Sequence, residues 1–197
     1  MTPSDLNKAA LGYEYLACEL FDGLKNNTYD GIGITRASYG RGEQVARDIL
    51  ANCAQNLDLE VDDDAAGNLY MTLPGEHRSA APVVIGSHLD SVAQGGNFDG
   101  AAGIISGMVA CAGLKKAGVI PARDIRVMGI RAEESAWFGV SYIGSRSALG
   151  TLPSGTLDAA KRVDTGQSLS HHMEDCGCDP AALRNGTIYL PPDSLHA

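Results

Sequence analysis

The chain has 197 residues, 44% of them hydrophobic and 20% charged, the balance of a soluble globular domain or of part of a larger one. A formal net charge of −9 disfavours nucleic acid and anionic membrane surfaces as partners. No apolar run approaches the ~18 residues of a membrane span, the N-terminus lacks a signal-peptide profile, and five scattered cysteines (Cys18, Cys53, Cys111, Cys176, Cys178) read as reduced thiols of a cytoplasmic protein.

Leu6, Ala9, Ala10, Tyr13, Leu16, Ala17 and Leu20 recur at helical spacing and predict one amphipathic helix over residues 5–25. A second helix is predicted over 41–55, with Val45, Ile49 and Cys53 on one face. β-rich segments on either side of Ala66-Gly67-Asn68 predict strands near 58–62 and 68–73. "PVVIGS" is a short, continuously apolar run between turn residues, the pattern of a strand buried on both faces. Residues 100–117 are small or apolar nearly all round and predict a buried helix packed closely on a sheet. "DIRVMGIRA" predicts the next strand. A helix near 139–149 follows, then short helical pieces near 156–162, 168–175 and 180–184. Strands alternate with helices, so the class is α/β with a largely parallel or mixed central sheet.

Acidic groups collect where two of these strands end. In open α/β sheets that is where ligands bind. The run "VVIGS" leads into His88, and Asp90 follows two residues later. In extended backbone the two side chains face the same way, so Asp90 can support His88. Asp99 closes a glycine-rich loop just before the 100–117 helix, and the glycines let the backbone bring it back towards His88. The next strand runs straight into Glu133-Glu134. Adjacent carboxylates at a buried strand end repel each other unless something positive compensates, and metal ions would do so. A histidine at a strand end, or a glutamate pair, is alone an ordinary surface feature. The conjunction of HxD, a glycine loop ending in Asp, and EE points to a metal site. Cys176-Gly-Cys178 lacks the second pair of a zinc site. There is no G-x-S-x-G nucleophile elbow, and the glycines do not follow the G-x-G-x-x-G dinucleotide pattern.

"GSHLDSVAQGGNFDGAAGIISG", "RAEESAWFGVSYIGSRSALG", "DDAAGNLYMTLPG" and "GITRASYG" together resemble the M20 family of dinuclear metallohydrolases. Within it they resemble the N-carbamoyl-L-amino acid hydrolase, allantoate amidohydrolase and β-ureidopropionase branch. The resemblance implies a three-layer catalytic domain of the dinuclear zinc aminopeptidase type, a central mixed sheet flanked by helices. It implies that His88 binds one metal, Asp99 bridges both, Glu134 binds the second, Glu133 is general base and then acid, and Asp90 holds His88 in its working tautomer. It further implies two divalent cations, zinc or manganese with cobalt or nickel as alternatives, a small-molecule ureido or amide substrate, and a homodimer. The aminoacylase or peptidase-like amidases of M20 share this half of the site and are the alternative enzyme reading. A non-catalytic fragment, at most a weak metal binder, is the alternative outside enzymes.

Two departures from that pattern stand out. Ser135-Ala136-Trp137-Phe138 replaces the Gly-Ser-Arg-Phe type of sequence found after the glutamates in many relatives, which bears on substrate choice. Members of the branch also continue past residue 197 with a further "HIEQ"-like metal ligand, an inserted lid and a late histidine. The expectation is therefore that residues 1–197 form the N-terminal part of the catalytic domain. The lid, the main dimer surface and the C-terminal part would be absent, and the isolated chain weakly active or inactive. His196 reads as a frayed terminal residue, His171 and His172 as surface residues, and His77 as a loop residue.

Overall fold

The computed structural model describes residues 2–190. In place of one N-terminal helix there are two, α1 (Pro3–Leu11) and α2 (Glu14–Thr28). Thr2 and Asp5 form a capping box at the start of α1. The break falls at Gly12-Tyr13, where glycine's poor helix propensity outweighs a continuous apolar stripe. The remaining elements are α3 (Arg41–Asn56), β1 (Glu60–Asp63), β2 (Leu69–Leu73), β3 (Val83–His88), α4 (Ala101–Lys116), β4 (Ile125–Ile130), α5 (Ile143–Ala148), α6 (Thr156–Ala159), α7 (Leu169–Asp175) and α8 (Pro180–Arg184).

The four strands form one mixed sheet in the order β1-β2-β4-β3. β3 and β4 are parallel, and the other pairings are antiparallel. Alternate residues serve opposite faces, as the two-residue period of a strand requires. Leu69, Met71, Leu73, Ile125 and Val127 join α2, α3 and α4 in the main core. Tyr70, Met128, Val84 and Ile130 face the other way, towards Ala148, Leu149, Tyr189 and Leu190. The mixed α/β class read from the sequence is the observed one.

The run "PVVIGS" corrects one expectation. Its strand, β3, is at the edge of the described sheet, and Val83 is 47% exposed. The run is continuously apolar because α4 covers one face and Val84 joins the opposite cluster, although one long edge carries no strand among the described residues. Gly103 and Gly107 bring α4 close. A Cβ at Gly107 would lie 3.0 Å from Val127 and 3.3 Å from Ile85. No helix of the described residues is long and apolar enough to cross a membrane.

Candidate metal centre

β3 and β4 run parallel, so their carboxyl ends lie side by side, with His88 opposite Ile130. The chain leaves β4 through Arg131 and Ala132. Ala132 has φ +50°, a left-handed conformation that costs an alanine ~1–3 kcal/mol. Buried polar groups hold it there. Glu43 of α3 accepts the Ala132 amide at 2.9 Å, and its other oxygen pairs with Arg131 at 2.8 Å and accepts the Tyr39 amide at 2.7 Å. Burial pushes the Glu43 carboxyl up, and the Arg131 charge pulls it back. This fixed turn aims Glu133 and Glu134 across the strand end.

Asp90 completes the brace. Its fully buried carboxylate accepts the Glu133 amide at 3.0 Å on one oxygen. The other oxygen accepts the Glu134 amide at 3.1 Å and the Ser38 hydroxyl at 2.6 Å. The sequence suggested that Asp90 supports His88. It stands 3.4 Å from Nδ1 of His88, which donates to the Asp90 carbonyl at 3.0 Å. The same carboxylate also organises the glutamate loop, 43 residues away along the chain. Burial works against a charge on His88, but hydrogen bonding to Asp90 and the negative charges of Asp90 and Glu133 outweigh it. The imidazole is pushed up to about 9.

The other ring nitrogen faces the cluster. Nε2 of His88 is 3.7 Å from Asp99 and 3.8 Å from Glu133. One donor atom each from His88, Glu133 and Glu134 can be chosen so that all three lie within 4.8 Å of one another. Burial raises the Glu134 carboxyl. Among its charged neighbours His88 opposes that shift, while Glu133, Asp90 and Asp99 add to it. One imidazole among crowded carboxylates is a donor set that suits a divalent cation. Asp99 stands outside the close group of three and its side chain is 58% exposed. The glycine after it, Gly100, has φ +67°, and a Cβ there would lie 2.6 Å from the His88 ring. Gly100 thus allows the close approach, whereas inside the loop before Asp99 the left-handed residue is Gln94, not Gly95 or Gly96.

All five residues singled out in the sequence meet at one end of the sheet. Other polar residues that fix the site were not singled out in the sequence. Glu43 shares the buried face of α3 with Ala46, Leu50 and Ala54, beside the more apolar stripe of Val45, Ile49 and Cys53, and Ser38 lies in the resembling segment "GITRASYG". In the departing stretch, Trp137 is buried and donates to the Ser91 carbonyl at 2.7 Å, while Phe138 enters a second core with Tyr39 and Ile143. His171 is exposed as expected, but His172 is buried against Phe138, with Nε2 2.8 Å from the Thr165 hydroxyl. His172 lies on the inward side of a short helix whose apolar pattern is too brief to reveal its direction. All five cysteines are free, and His77 lies in a loop. His196 lies outside the described residues.

Residues 68–163 match the family described as Peptidase family M28, a different name from the M20 family that the motifs resemble. An N-carbamoyl-L-amino acid amidohydrolase of Geobacillus stearothermophilus is 38% identical over 161 residues, covering 79% of this chain and 39% of the relative. An allantoate amidohydrolase of Bacillus subtilis is 30% identical over 146 residues, covering 74% of this chain and 35% of the relative. Among solved structures, a hydantoinase/carbamoylase family amidase from Burkholderia ambifaria superposes with a TM-score of 0.74 at 29% identity, covering 88% of this chain and 42% of that one. The chain thus spans about two fifths of the length of these three relatives.

Proposed function

We propose that the chain supplies the N-terminal part of the catalytic domain of a metal-dependent amidohydrolase, one that cleaves the C–N bond of N-carbamoyl amino acids or related ureido compounds. The observation that carries this reading is the convergence of His88, Glu133 and Glu134 at the ends of two parallel strands, with Asp99 beside His88. Similarity to an N-carbamoyl-L-amino acid amidohydrolase and an allantoate amidohydrolase supports the substrate class.

His88, Asp99 and Glu134 would hold divalent cations, two in number and zinc or manganese in kind, following the M20 pattern. Bound cations supply Lewis acidity, which polarises a ureido carbonyl and acidifies water. Glu133 has the reach and the firm backbone of a proton carrier: it takes a proton from water and returns it to the leaving nitrogen. Asp90 keeps Nδ1 of His88 protonated, which leaves Nε2 to face the cation.

Ammonia release from N-carbamoyl amino acids, set against acetate release from N-acetyl amino acids, tests the reading. The 197-residue chain alone is expected to turn over weakly or not at all. The assay therefore includes a chimera in which these residues replace the matching part of the Geobacillus stearothermophilus relative. Ureido preference with zinc or manganese, abolished by Glu133→Gln, is the expected result. Preference for N-acetyl substrates would move the assignment to an aminoacylase-like amidase.

A further inference from the structure

We infer that Arg36 and Ser38 are positioning residues of the metal centre, which lock its two acidic loops into one frame. The inference rests on the metal reading of His88, Glu133 and Glu134. The segment 34–38, between α2 and α3, runs alongside the loop that follows β3. Ile34 and Gly95 exchange two backbone hydrogen bonds, at 3.0 and 2.8 Å. The Ser91 amide donates to the Arg36 carbonyl at 2.9 Å, and the Ser91 hydroxyl oxygen accepts the Arg36 amide at 2.9 Å. The Gln94 amide donates to the Thr35 hydroxyl oxygen, also at 2.9 Å.

Against this seam the Arg36 side chain is fully buried. Its Nε donates to the Leu89 carbonyl at 2.7 Å and its Nη2 to the Asp99 carbonyl at 3.0 Å. One planar guanidinium thus ties the residue after His88 to the residue that carries the outlying carboxylate. A lysine would keep the charge but lose the fork. The third nitrogen, Nη1, is buried without a hydrogen-bond partner among the described residues. A buried cation with an unpaired donor is costly, so this arrangement is a poor one for stability alone. It places positive charge among Asp90, Asp99 and Glu43. Two residues along, the Ser38 hydroxyl fixes the carboxylate of Asp90, which in turn holds the amides of Glu133 and Glu134. Arg36 therefore sets Asp99 relative to His88, and Ser38 sets Asp90 relative to the glutamates.

Cobalt(II) titration of the chimera with the Geobacillus stearothermophilus relative tests this, read as affinity and as the d–d absorption that reports coordination geometry. Arg36→Lys and Ser38→Ala should each weaken cobalt binding about 10- to 100-fold, the range for residues that orient metal ligands, and should change the spectrum. Ser147→Ala is the control. It deletes a buried hydroxyl that donates to the Ile143 carbonyl at 2.8 Å in α5, and it should leave affinity and spectrum unchanged even where it lowers the melting temperature. If Arg36→Lys does not fold, Ser38→Ala decides. Wild-type affinity and spectrum in Ser38→Ala would overturn the inference while leaving the metal reading intact. No saturable cobalt binding by the unmutated chimera, or binding indifferent to His88→Ala, would overturn the metal reading and the inference with it.

Discussion

The loop after β4 and the loop after β3 deliver carboxylates to the same place but are held by different physics. Residues 131–134 are fixed by a buried ion pair, Arg131 with Glu43, and by a carboxylate that holds the left-handed Ala132. Residues 89–100 are fixed by backbone hydrogen bonds to the segment 34–38, by the Arg36 guanidinium, which bonds only backbone carbonyls of the loop, and by a glycine that admits the His88 ring. The first device fails abruptly when one charge is removed, because its partner is left buried and alone. The second is spread over many weaker contacts and leaves Asp99 at a half-open rim.

The sharpest way to break the contrast is Glu43→Ala. It strands Arg131, whose raised pKa reflects burial outweighed by Glu43, and should cost ~3–5 kcal/mol in urea denaturation. A loss under about 1 kcal/mol would mean that the two loops are held alike. Gly100→Ala strikes the other loop. A left-handed φ and a Cβ pressed on the imidazole should cost ~1–3 kcal/mol, with the His88 ring resonances displaced in NMR spectra.

Asp90 joins the two loops, and pH reads that joint. In the metal-free chain the folded His88 has a pKa of about 9, above its ordinary 6.5. A pKa raised on folding stabilises fully below 6.5, and that stability is lost as pH climbs from 6.5 through 9. The urea midpoint should therefore fall over that window in the presence of a chelator, and Asp90→Asn should flatten the fall. The smallest effect belongs to the exposed rim: Asp99→Asn should change stability by no more than ~0.5 kcal/mol yet weaken metal binding in calorimetry.

The same contrast governs what could be read from the sequence. His88, Asp90, Asp99, Glu133 and Glu134 were legible because each follows a strongly apolar strand or a glycine-rich loop, and because chemistry-bearing residue types are few. Helix α4 was legible from its all-round small and apolar surface. The supports were not. Glu43 is fully buried yet sits among the charged residues of an amphipathic helix, and only the tertiary pairing with Arg131 buries it. The burial of β3 was misread: its run is apolar enough for a strand buried on both faces, yet Val83 and Gly86 are exposed and the rest only half-buried. The division of the first helix at Gly12 turned on a single weak residue inside an unbroken stripe.

Zinc-edge anomalous diffraction from crystals of the chain grown with zinc tests the central claim most directly. The account predicts two peaks, one ~2.0–2.2 Å from Nε2 of His88 and the other at the same distance from a carboxylate oxygen of Glu134, the first lost in His88→Ala. A zinc peak bound elsewhere, with the His88 cluster empty, would contradict it.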